Sequence, residues 1–285
     1  LHPRVRRQRQ MCIRDSISAV FIGCTPILSI DASTQNVYHF SDTDKNISLL
    51  DISETFGTYD GSFVLYDNNL DSWKIYDLEE ATKRIPPEST YKIYDALLGL
   101  ESGIITPEHS SMTWNGDAFP FPSWEADQDL NSAMQNSVNW YFQAIDSQLG
   151  INRVQEFLNK IEYGNQTTSS NLDLYWSDFS LKISPLEQVT LLKKFNTNEF
   201  HLNFQNVFSV KNAIKIASTP NGNFYGKTGT GRVNGQDING WFIGYVETSD
   251  NSYYFATNIQ SDSNATGKKA FEITSDILKK LHIWN

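Results

Sequence analysis

The most constraining stretch of this 285-residue chain is its last quarter, where three strand-like runs lead into one helix. After Asn221-Gly222, strand-forming residues gather at Phe224-Tyr225-Gly226, at 240–247 and at 252–259, separated by short Gly- and Asn-rich turns. Turns that short join antiparallel neighbours. Residues 270–281 then carry Phe271, Ile273, Ile277, Leu278 and Leu281 on an amphipathic helix. Nearer the front, residues 62–67 alternate as a half-buried strand, Asn68-Asn69 turns the chain, and 73–76 alternate again, which predicts a hairpin. Between the two strand regions the period is helical. Helices are predicted over 89–100, ending at Gly103, over 129–149 and over 153–161, and a fourth opens at Ser184-Pro185, with Pro185 suited to the first turn. Residues 107–124 are loop-rich. The layout predicts an α/β (α+β) sandwich whose antiparallel sheet is built from both ends of the chain and flanked by helices, with an all-helical subregion.

Composition narrows the partners. The net charge is −10 and the sequence pI about 4.9. Five Arg fall in the first sixteen residues, so the remainder is more acidic still and offers no footprint for nucleic acid. The two Cys, Cys12 and Cys24, build no disulfide framework, and the five His are scattered without ligand spacing, so no metal site is expected. Residues 1–16 (LHPRVRRQRQMCIRDS) resemble translated sequencing-adapter sequence and are expected to be non-native. Residues 17–30 form an apolar run interrupted by Gly23 and Pro26. It is shorter than the roughly 20 residues that span a bilayer, and is expected to be a signal segment or a truncated transmembrane segment. Phe21-Ile22-Gly23-Cys24 also loosely matches a lipoprotein cleavage site. Each of these readings puts the rest of the chain outside the cytoplasmic membrane. Residues 31–60 are expected to be a linker, and 61–285 the folded domain.

Three short motifs carry chemistry. Ser89-Thr90-Tyr91-Lys92 follows Pro86-Pro87, so Ser89 lies in the first turn of a helix with Lys92 one turn on, on the same face. A serine hydroxyl becomes a useful nucleophile when a neighbouring base takes its proton. A lysine can be that base if burial or covalent loss of its charge removes its proton. Alone, the motif reads more readily as a Ser N-cap before a helix with a solvated lysine. Lys227-Thr228-Gly229-Thr230-Gly231 lies among strands, as an edge strand with an ammonium and two hydroxyls for a carboxylate. Gly229 leaves room where a ligand must approach. Ser137-Val138-Asn139, in an apolar helical segment, offers a hydroxyl to shuttle a proton and an amide to orient Lys92. Ser249-Asp250-Asn251 is a similar string, read as a hairpin turn because it comes after the lysine strand.

In this order the motifs resemble those of penicillin-recognising serine enzymes. The finer resemblance is to class D β-lactamases and to the β-lactam sensor domains of BlaR/MecR-type transducers. It rests on residues 84–94, 135–142, Tyr163-Gly164-Asn165, Ser180-Leu181-Lys182-Ile183-Ser184, 227–231 and Gly240-Trp241-Phe242. It implies a β-lactamase/transpeptidase-like fold in which Ser89 is acylated by a β-lactam and Lys92 is the base, in this family often carbamylated by CO2. Ser137 would shuttle the proton, and Lys227, Thr228 and Thr230 would hold the β-lactam carboxylate. The N–H groups of Ser89 and Thr230 would form the oxyanion hole, and Trp176 would shield the lysine. No cofactor is implied beyond that CO2.

Asn139 departs from class D, where Val or Ile is usual, and Ser-Thr-Tyr-Lys with Asn-Ser-Val-Asn-Trp-Tyr-Phe is the sensor pattern. An apolar neighbour favours a neutral, carbamylated lysine, whereas an amide can hydrogen-bond the amine and disfavour that base. The expectation is therefore an extracytoplasmic β-lactam sensor that deacylates slowly, with membrane attachment through the N-terminal segment. The alternatives are a class D-like β-lactamase or, further off, a D,D-peptidase.

Overall fold

The computed structural model describes residues 46–285, so the adapter-like and apolar segments with Cys12 and Cys24 lie outside the described residues. In chain order the elements are β1 (Ile47–Leu49), α1 (Ser53–Phe56), β2 (Asp60–Asp67), β3 (Ser72–Tyr76), α2 (Leu78–Thr82), a 3-10 turn (Glu88–Tyr91) and α3 (Lys92–Glu101). Then come α4 (Leu130–Gln135), α5 (Asn139–Leu149), α6 (Ile151–Ile161), α7 (Pro185–Asn196) and α8 (Phe204–Ala213). The chain closes with β4 (Lys215–Thr219), β5 (Gly222–Val233), β6 (Gln236–Thr248), β7 (Ser252–Gln260) and α9 (Gly267–Lys280).

The strands form one seven-stranded sheet in the order β1-β3-β2-β7-β6-β5-β4. The predicted front hairpin, β2–β3, joins the back of the chain through β2–β7, and these pairs are antiparallel; β1 against β3 is parallel. Because β1 and α1 occupy part of the stretch expected to be linker, the sheet begins before Gly61. Strand alternation sorts the core. Phe63 and Leu65 face the side covered by Ile273 and Ile277 of α9, while Val64 and Tyr66 belong to the larger core shared with α3, α5 and α7. Residues 92–100 of α3 are all buried, as expected of a helix enclosed on every side. Ser184 caps α7 in a reciprocal capping box with Glu187, and Pro185 opens the helix. The Ser249-Asp250-Asn251 string is indeed the β6–β7 turn, closed by Thr248 N–H donating to the Asn251 carbonyl.

One predicted helix is two. Instead of running from 129 to 149, the chain breaks at 136–138, where Ser137 takes a left-handed φ of 56°. Val138 N–H donates to Ala133 O and Ser137 N–H to Met134 O, the paired 6→1 and 5→2 bonds that end a helix with a left-handed residue. Glycine usually fills that place, so the break carried no glycine signal.

Candidate active site

The 3-10 turn that carries Ser89 is anchored from three sides. The Pro86 carbonyl accepts from Trp241 Nε1 at 2.8 Å and from Asn239 Nδ2 at 3.1 Å, both on β6. Thr90 Oγ1 donates to Pro87 O at 2.6 Å and accepts from Gln188 Nε2 of α7 at 2.9 Å. Glu88 N–H donates to Trp176 O at 3.0 Å. Ser89 is thereby left half-buried, and α3 begins with Lys92 directly beneath it.

Lys92 is 1% exposed. Its Nζ donates to Ser89 Oγ at 2.9 Å and to Asn139 Oδ1 at 2.7 Å. It lies 5.6 Å from the ring centroids of both Phe142 and Trp176. Burial lowers its pKa to about 7, against the opposing pull of Asp95 and Glu88. The break between α4 and α5 places Ser137 in the same site. Lys227 Nζ donates to Ser137 Oγ at 2.9 Å and to the Thr228 carbonyl at 2.9 Å. Lys227 is buried too, and burial together with the charge of Lys92 pushes its pKa well down.

Strand β5 brings the remaining predicted residues. Its outer edge pairs with β4 only from Gly222 to Tyr225, so Lys227–Gly231 has no strand partner on that side among the described residues. A Cβ on Gly229 would meet Glu88 Cβ at 3.1 Å, Pro87 O at 3.2 Å and Ser89 N at 3.3 Å. The glycine therefore lets the strand pass against the serine turn. Thr228 is half-buried and Thr230 exposed, and Thr230 Oγ1 accepts from Gly267 N–H at the start of α9 at 2.8 Å. A cleft of about 350 Å³, lined by Lys227, Thr228, Gly226, Gln135 and Phe242, continues beside the strand. Of the expected substrate-binding residues, Gly229, Thr230 and Trp176 do not line this cleft; Trp176, at 2% exposure, walls the pocket of Lys92 instead.

Sequence reasoning missed three buried acids. Asp95, one turn beyond Lys92, and Asp146 of α5 lie in the core behind the lysine, where burial raises both, Asp146 to about 8. Glu88 sits between Pro87 and Ser89. Asp95 had a faint signal, as the one charge among the largely apolar residues 93–100. Among the described residues no group of three or more His, Cys, Asp or Glu could hold a metal ion, and no helix is long and apolar enough to cross a membrane.

Comparison with known proteins agrees with this geometry. Residues 61–279 match the penicillin binding protein transpeptidase domain. The chain is 44% identical over 270 residues to the regulatory protein BlaR1 of Bacillus licheniformis, covering 94% of this chain and 44% of the relative. It thus spans less than half the length of that relative. The C-terminal domain of the Bacillus licheniformis BlaR penicillin-receptor superposes with a TM-score of 0.82 at 46% identity, covering 84% of this chain and 98% of that one. The class D β-lactamase BAT-2 superposes at 0.78 and 36%, covering 83% and 97%. This chain belongs to the penicillin-binding transpeptidase-domain family, and within it is close to both the BlaR/MecR sensor domains and the class D β-lactamases.

Proposed function

We propose that Ser89 is acylated by β-lactam antibiotics and that the adduct persists, so that the chain serves as the extracytoplasmic sensor of a β-lactam-responsive transducer. The carrying observation is the Lys92 amine held between Ser89 Oγ at 2.9 Å and Asn139 Oδ1 at 2.7 Å. As a neutral amine Lys92 takes the Ser89 proton while Oγ bonds to the lactam carbonyl carbon. The N–H groups of Ser89 and Thr230 receive the oxyanion. The lactam C–N bond then breaks, and the leaving nitrogen takes a proton from Lys92 by way of Ser137. The Ser137 oxygen already accepts from Lys227, which leaves its own hydrogen free to point at the substrate. Lys227, Thr228 and Thr230 hold the carboxylate, charge-assisted on the lysine.

Asn139 accounts for the persistence. Deacylation needs a base for water, and a carbamate on Lys92 would set two more acceptor oxygens beside Asn139 Oδ1, itself an acceptor. The amide favours the unmodified amine and leaves the ester without that base. The enclosure of Lys92 by Phe142 and Trp176 supports the second reading, a class D-like β-lactamase hydrolysing penicillins. Intact-mass spectrometry of the purified chain mixed with benzylpenicillin, with Ser89→Ala as control, separates the readings. A persistent adduct absent from the control is the expected outcome. A transient adduct with consumption of drug would make the chain a β-lactamase, and no adduct would end the proposal.

A further inference from the structure

Glu88 is built into the seam between the serine turn and the two strands facing it. Its own backbone is left-handed, with φ at 53°. Its Oε1 accepts from Asn239 Nδ2 at 3.2 Å, and that amide also donates to the Pro86 carbonyl. Asn239 is oriented in turn by Asn258, whose Nδ2 donates to Asn239 Oδ1 at 2.8 Å. On the β5 side the carboxyl fills the space of a missing side chain, since a Cβ on Gly231 would lie 2.4 Å from Glu88 Oε1. One side chain therefore spans the serine turn, β5 and β6.

Among the described residues no salt bridge reaches it. The charge of Lys92 on α3 acts on it, but that amine is committed to Ser89 and Asn139. Arg232 of β5 is tied to Asp237 of β6 at 2.7 Å, Gln260 of β7 leads to Glu80 at 3.4 Å, and Asp178 is taken up by Ser169 and Ser180. A cavity of about 80 Å³ lies beside Glu88, which lines it together with Phe179, Gly231, Arg232, Asn239 and Gln260.

We infer that Glu88 is a positioning residue that must stay a neutral acid for Ser89 to be acylated, and that its ionisation sets the alkaline limit of the reaction. The inference rests on the acylation proposed above. As a neutral acid the side chain packs between Asn239 and Gly231 and holds the serine turn against β5. As an anion it would stand one residue from Ser89 N–H, opposing the negative charge that group must receive, and Lys92 gives no offsetting charge once it has lost its proton to act as base. Burial pushes the Glu88 carboxyl up to about 8, with the Asn239 hydrogen bond and Lys92 acting in the opposite direction. With Lys92 at about 7, acylation would require one group to have lost its proton and the other to have kept it.

The test is the rate of acylation by a fluorescent penicillin across pH, for wild type and Glu88→Gln. Wild type should give a bell, falling about tenfold per pH unit well above about 8. Glu88→Gln, neutral at every pH, should lose the alkaline limb and keep the acid limb. A wild-type profile flat above pH 8, or an alkaline limb retained in the glutamine variant, would overturn the inference. Infrared spectra of wild type labelled with ¹³C-glutamate supply a check that needs no variant. They should show a protonated carboxyl that titrates with the alkaline limb, and its absence at neutral pH would be equally fatal. Failure of acylation at every pH, by contrast, would strike the proposed function itself.

Discussion

Two buried lysines face each other across the site, and the differences between their settings divide its chemistry. Lys92 sits in the helical half, closed in by Phe142 and Trp176, with a serine hydroxyl and an amide oxygen as its partners. Lys227 sits on the strand half, held by Ser137 and a backbone carbonyl beside an open cleft. Burial lowers both, and the proposed reaction asks Lys92 to move a proton and Lys227 to receive the substrate carboxylate. In that proposal the same residue type serves twice, once behind a helix and once on a strand beside a groove.

Replacement should separate the two roles. The largest effect is expected for Lys92→Met, a loss of acylation rate of roughly a thousandfold, within the range that general bases contribute. In the wild type, acylation should rise with pH through about 7, because the base works only without its proton, and that acid limb should vanish in the variant. Stopped-flow acylation at several pH values measures both. Lys227→Met should cost less, roughly 10- to 100-fold and mainly in the concentration of drug needed, as expected from losing one charge-assisted hydrogen bond. If Lys227→Met proved as severe as Lys92→Met, the division of labour would be wrong. Asn139→Val is the smallest and the most telling change. It should leave acylation nearly intact and shorten the adduct's lifetime at least roughly tenfold in bicarbonate buffer, what one pKa unit of recovered basicity would give. An unchanged lifetime would remove Asn139 from the explanation.

The strand half was the more legible of the two. Alternation in 62–67 and 73–76 and the short turns after 222 point to the hairpin and the three C-terminal strands, and α9 is plain from its stripe. Other pieces were hidden for physical reasons. Strand β1 is three residues long, too short for a period to register. In α8 the apolar Phe204 and Phe208 point outward, stacked on each other with centroids 6.3 Å apart, so its pattern does not mark a buried face. Ser89, Lys92 and Lys227 could be singled out because each lies in a short local motif, although their meeting in one site depends on the fold. The role of Glu88 could not, because its burial comes from Gly231 and Asn239, more than a hundred residues away.

The left-handed turn at Ser137 sets stability against chemistry. A residue with a Cβ costs about 1–2 kcal/mol in that conformation, where glycine is at ease. Ser137→Gly would relax the backbone and erase the hydroxyl that meets Lys227. A population of variants screened for heat resistance alone would therefore drift toward glycine at this position. On the proposed mechanism it would arrive at a tougher protein that is slower to acylate, and only a screen that also reads acylation would hold the serine in place.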